Sequence, residues 1–92
     1  MRTIYKYPLK YTESQSINLP LDSQILLFDI QKVDTDEIGT PTLWCLVDPE
    51  QPDEERKFLL VGTGAQVPWK VHHIGTVLSK PFVWHLFEKR TV

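Results

Sequence analysis

Almost every periodic stretch of this chain has a period of two, and turn-forming residues recur about every ten positions. A helix buries one side at 3.6-residue spacing, and no long segment here offers that pattern. Apolar alternation between clusters of Gly, Pro, Asn and Asp therefore predicts an all-β domain. In TIYKYPLK, Thr3, Tyr5, Tyr7 and Leu9 share one face, and Ile4, Lys6 and Pro8 share the other. Pro8 lacks an N–H donor, which confines this strand to an edge or ends it there. QSINLP is a second strand, stopped by Pro20. SQILLFDIQKV is a third, with Leu26, Phe28 and Ile30 opposite Ile25, Leu27 and Asp29.

After the polar turn DTDEIGTP, the fourth strand TLWCLVDP is apolar on both faces, as a central strand is. The fifth, RKFLLVGTG, follows the acidic loop PEQPDEE and is expected to pair with the fourth as a hairpin. Pro68, in AQVPWKV, suits the first position of one short helical turn. HHIGTVL is the sixth strand. FVWHLFEK is the seventh, with Phe82, Trp84 and Leu86 opposite Val83, His85 and Phe87. The expectation is one domain over residues 1–92, a small antiparallel sandwich or partly closed barrel of six to seven strands. At most one short helical turn, near Pro68, interrupts it. The expected core is Leu26, Phe28, Ile30, Trp44, Leu46, Phe58, Leu60, Val77, Trp84 and Leu86.

Composition narrows the function classes. A formal charge of −2 with no basic run argues against direct binding to a nucleic-acid backbone. The single cysteine, Cys45, cannot form an internal disulfide, which fits a reducing compartment such as the cytoplasm. The N-terminal stretch has no apolar segment resembling a signal peptide, and no apolar run approaches the ~18 residues of a membrane span. Oligomerisation is a common way for so small a chain to gain buried surface, so a homo-oligomer is expected.

The segment VGTGAQVPWKVHH carries the candidate site. Gly62 and Gly64 flank Thr63 at a strand end, where backbone N–H groups can approach an anion. Lys70 adds charge, and Trp69 offers a stacking ring. Arg56 presents a planar fork for phosphate or carboxylate, or pairs with the neighbouring acidic loop. Tyr5 and Tyr7 supply further rings. Taken locally, the same glycines read more readily as a bulge or tight bend than as a site, and neither a P-loop nor a dinucleotide fingerprint is present. His72 and His73 are adjacent on a strand and so point to opposite faces, one expected in solvent and one partly buried, which makes them a poor chelate. No metal, cofactor or catalytic residue is expected. Cys45 reads as an inert buried thiol, and no nucleophile–base arrangement emerges.

The motifs IYKYPL, LWCLVDPE, RKFLLVGTG, IGTV and FVWHLFE, in that order, resemble a family of short tailed-phage and prophage proteins. The resemblance runs from Ile4 to Glu88 and departs at the longer turn KVDTDEIGTP. It implies a viral accessory protein acting in the cytoplasm of an infected bacterium, and it carries no catalytic residues. Two functions are consistent with this. One is a non-enzymatic counter-defence protein that sequesters a nucleotide-type immune signal through Tyr5, Tyr7, Arg56, Gly62, Thr63, Gly64, Trp69 and Lys70. The other is an inhibitor or adaptor that binds a host defence protein through an exposed strand edge or the acidic loop.

Overall fold

The computed structural model describes residues 1–34 and 37–90. Seven strands account for its regular structure: β1 Thr3–Pro8, β2 Ser14–Pro20, β3 Gln24–Gln31, β4 Thr40–Val47, β5 Asp53–Gly62, β6 Val71–Ser79 and β7 Phe82–Lys89. They form two antiparallel sheets, ordered β1-β4-β3 and β2-β5-β7-β6. The domain is all-β, as the alternation requires, and resembles a small sandwich. The described residues include no helix: the Pro68 segment is irregular and the sheets do not close into a barrel. The polar turn predicted at DTDEIGTP lies partly outside the described residues, at Thr35 and Asp36.

The central and edge assignments follow from the residues that specified them. β4, apolar on both faces, is the middle strand of its sheet. β1, with Pro8, is an edge strand. The fourth and fifth strands do not form the expected hairpin. β4 pairs with β1 and β3, whereas β5 pairs with β2 and β7, so residues 48–52 link two sheets. Asp53, Glu54 and Glu55, expected in the acidic loop, instead open β5, because β2 extends the ladder to pair Pro20, Leu19 and Asn18 with them. Two prolines, Pro49 and Pro52, and the Asp48 side chain accepting from the Glu50 N–H, shape that link as a local turn.

The core lies between the sheets and contains Leu9, Leu19, Phe28, Leu43, Cys45, Val47, Phe58, Leu60, Val77 and Leu86. Ile30 and Trp84 pack against it while partly buried. Three expected core residues belong elsewhere. Trp44 and Leu46 lie on the outer face of β4, because Leu43, Cys45 and Val47 point inward. Leu26 is 45 % exposed, because a bulge between Ile25 and Leu27 shifts the register of β3. That extra residue lets Ile25 and Phe28 both sit on the inner side, opposite Cys45 and Leu43.

The two sheets approach most closely where β3 passes β6. There Gly75 faces Phe28, whose Cβ lies 3.5 Å from where a Cβ on residue 75 would stand, an ordinary van der Waals distance. β5 and β6 run parallel on either side of β7, so residues 63–70 form a crossover from one end of the sheet to the other. This crossover lies over the outer face of β7.

Candidate functional site

The crossover begins with Gly62-Thr63-Gly64. Gly64 has φ +96°, a left-handed conformation that favours glycine, and the Ala65 N–H donates to the Gly62 carbonyl. The segment is therefore a tight turn, and its geometry aims Thr63 back at the sheet. Thr63 Oγ1 lies 2.9 Å from His85 Nε2 on β7. His85 Nδ1 lies 2.9 Å from Thr76 Oγ1 on β6, and that oxygen lies 2.9 Å from His73 Nε2. The result is a continuous row, Thr63–His85–Thr76–His73, across the exposed outer face. The His73 ring packs on Phe87 at 5.3 Å. Beside the row, an open cavity of about 240 Å³ is lined by Val61, the Gly-Thr-Gly turn, Val67, His85 and Phe87.

A hydroxyl within hydrogen-bond reach of an imidazole is the start of a nucleophile–base pair, but the orienting group here is another hydroxyl rather than a carboxylate. The row offers hydrogen-bond donors and acceptors to a polar partner. Sequence reasoning missed it. The only available signal was Thr76 and His85 each lying on a strand's polar face, and neither indicates which strands are neighbours.

At the far end of the crossover, Trp69 is 100 % exposed and Lys70 is exposed beside it. The Arg90 N–H donates to the Lys70 carbonyl, which anchors this end to β7. Trp69 therefore projects from a fixed base.

The remaining predicted residues lie elsewhere. Arg56 faces the interior of the four-stranded sheet, six residues along β5 from Gly62, about 20 Å at strand rise. Its Nε and Nη2 donate to Glu88 Oε2 and Oε1 at 2.6 and 2.8 Å, and Nη1 donates to the Ser23 carbonyl at 2.7 Å. Its partner is thus Glu88 on β7, not the acidic loop. The hydrogen bonds to Glu88 hold the guanidinium pKa above its ordinary value despite partial burial. The fork that could have received a phosphate is already occupied. This pair borders a cleft of about 490 Å³ between the edges of β3 and β6, where His72 also sits.

Tyr5 and Tyr7 lie on β1, in the other sheet, with ring centroids 6.5 Å apart. Tyr7 packs on the core, and burial pushes its hydroxyl pKa up. Tyr5 is 44 % exposed. The structure therefore brings together Gly62, Thr63 and Gly64 at one end of the crossover and Trp69 and Lys70 at the other. It does not bring Tyr5, Tyr7 or Arg56 to them.

His72 and His73 do point to opposite sides, one toward the cleft and one toward the polar row, but both are exposed rather than one partly buried. Among the described residues no group of three or more His, Cys, Asp and Glu could hold a metal ion. A separate aromatic cluster, also unforeseen, stands at the β6–β7 turn. Tyr11 and Phe82 flank Trp84 at 5.5 and 5.6 Å, around a cavity of about 400 Å³.

No curated protein and no solved structure matches the chain. One family model does, over residues 1–92, and the chain belongs to that family, the domain of unknown function DUF7352.

Proposed function

We propose that this protein is a non-enzymatic binding module whose contact point is the crossover, with Trp69 as anchor and Lys70 beside it. The supporting observation is the complete exposure of Trp69 on a segment tied at both ends. A large ring fully in water makes no contacts within the fold that it would have to give up on entering a partner's pocket, and it buries its whole apolar surface there. Tryptophan and tyrosine dominate interface hot spots for that reason.

A protein partner fits this geometry better than an enclosed small ligand. The cavity next to the glycine turn is about 240 Å³, below the ~300–1,000 Å³ typical of ligand pockets. Trp69 projects away from the sheet rather than walling a cleft, and Arg56 is committed to Glu88. Taken with the resemblance to phage proteins, this favours an accessory factor that covers a bacterial defence protein in the cytoplasm of the infected host. The free edge of β1 offers a second contact by strand addition.

The test is affinity capture from host extract on immobilised protein, with wild type beside Trp69→Ala. One stoichiometric partner is expected on the wild type. Binding should weaken by about 2 kcal/mol or more, some thirtyfold, in the variant. A partner retained equally by Trp69→Ala would refute the anchor.

The pairing of Trp69 with Lys70 also supports a second reading, in which the ring stacks on a base and the ammonium meets a phosphate. Sequestration of a nucleotide signal would then proceed by mass action. A cyclic nucleotide or ADP-ribose derivative that raises the melting temperature of wild type but not of Trp69→Ala would establish it.

A further inference from the structure

We infer that a second copy of this chain covers the outer face of the three-stranded sheet, making the protein a two-fold symmetric dimer with the two crossovers on its outer sides. Two features of that face and one of the whole chain carry the inference.

The first is its apolar centre. By register, Ile4 stands opposite Leu46, and Trp44 stands between Lys6 and Leu27. Ile4 is 57 % and Leu27 50 % exposed, while Trp44 and Leu46 are half-buried. The outer face of a sandwich sheet ordinarily carries polar residues in these alternate positions. Here two adjacent rows each set two large apolar residues side by side, Ile4 with Leu46 and Trp44 with Leu27, with Gln24 and Lys6 completing the rows.

The second is charge. β1 and its flanks, residues 1–12, contain Arg2, Lys6 and Lys10 and no acidic residue. β4, in the middle, is uncharged. β3 and its flanks, residues 21–34, contain Asp22, Asp29 and Asp34 against Lys32 alone. Lys6 and Asp29 both belong to the outer rows of the register. The face therefore carries a cation, Lys6, at one edge, apolar residues in the middle and an anion, Asp29, at the other edge. A two-fold axis parallel to β4 lays the basic edge of one copy over the acidic edge of the next, twice. Such a face is complementary to itself, which is what an isologous interface requires.

The third is surface area. The chain is a flat body, 40 × 37 × 16 Å, with 6593 Å² of accessible surface. A monomer of 10.7 kDa is expected to expose about 5,500 Å². The surplus is about 1,100 Å², and a stable interface takes about 800 Å² from each partner.

Sedimentation equilibrium over a wide concentration range tests this. Wild type is expected to be a dimer, Lys6→Asp and Asp29→Lys are each expected to shift toward monomer, and the double variant Lys6→Asp/Asp29→Lys is expected to recover the dimer. Recovery follows only if the two edges face each other across a two-fold axis. Ile4→Asp/Leu27→Asp should be monomeric with an unchanged far-UV spectrum, while Trp69→Ala should remain dimeric. A monomeric wild type at high concentration would overturn the inference. So would a dimer indifferent to all four substitutions at Ile4, Lys6, Leu27 and Asp29, or one lost in Trp69→Ala. Should the double aspartate variant fail to fold, the charge exchange decides alone.

Discussion

Arg56 and Glu88 show how one residue can serve the fold when its chemistry suggests a site. Their side chains are 18 % and 17 % exposed, and both guanidinium–carboxylate bonds are short. Removing one partner leaves a partly buried charge and, for Arg56, an unanswered Ser23 carbonyl. Arg56→Ala should destabilise by about 2 kcal/mol in urea unfolding. Replacing both partners, as Arg56→Met/Glu88→Leu, should regain most of that, because no charge is then left alone. If the double variant is no better than the single one, the pair is not acting as a unit. Cys45 and Tyr7 illustrate the opposite situation, groups that must stay neutral. Burial raises both pKa values above 9.0 and 10.0, the ordinary values of thiol and phenol. Their contribution to stability is complete below those values and is lost as the pH climbs toward the raised folded ones. The urea midpoint should therefore hold up to about pH 9 and fall above it, with a shallower fall in Cys45→Ala. Equal slopes in the two proteins would remove Cys45 from the account.

At the scale of elements, the informative strands are β3 and β4. Each is apolar on both faces, so alternation alone cannot say which face is inward. The bulge at Leu26 and the burial of Leu43, Cys45 and Val47 settle it. Leu43→Ala should cost about 2–5 kcal/mol, since it empties a site wholly inside the core. Leu46→Ala, three positions on and on the other face, should cost about 1 kcal/mol or less in a dilute monomer. A reversed order in chemical denaturation would mean that the faces of β4 are exchanged. The crossover is the second informative element. Connecting parallel strands β5 and β6 past β7 requires a traverse of the sheet, and that traverse carries Thr63 to His85 and leaves Trp69 outside. The glycine turn at its start is turn chemistry, as one reading of the sequence allowed, and it also positions the polar row.

The whole molecule is a thin, two-faced plate. One face is the outer side of the three-stranded sheet, apolar with opposed charged edges. The other bears the crossover, the histidine row and the projecting tryptophan. A dimer formed through the first face would present two copies of the second. That arrangement suits a factor that binds a symmetric partner or gains avidity from two contacts. It also separates the two proposals experimentally: Trp69→Ala should weaken capture of a partner without changing the oligomer, whereas Lys6→Asp should give a monomer that still captures through Trp69 but without the avidity of two contacts.

The sequence by itself determined the strand content, the edge position of β1, the central position of β4 and the seclusion of Cys45. Each of these depends on local alternation, a proline's missing donor or a run of apolar residues, all of which are properties of neighbours in the chain. Only the tertiary structure decided which faces of β3 and β4 turn inward, because one bulged residue in β3 reverses a period of two and β4 is apolar on both faces. It alone decided that β4 and β5 lie in different sheets, that Arg56 meets Glu88 from 32 residues away, and that Thr63 meets His85 from 22. Those contacts depend on sheet order and on the path of the crossover. Strand order is set by the packing of all seven strands around one core, which no single segment of sequence encodes.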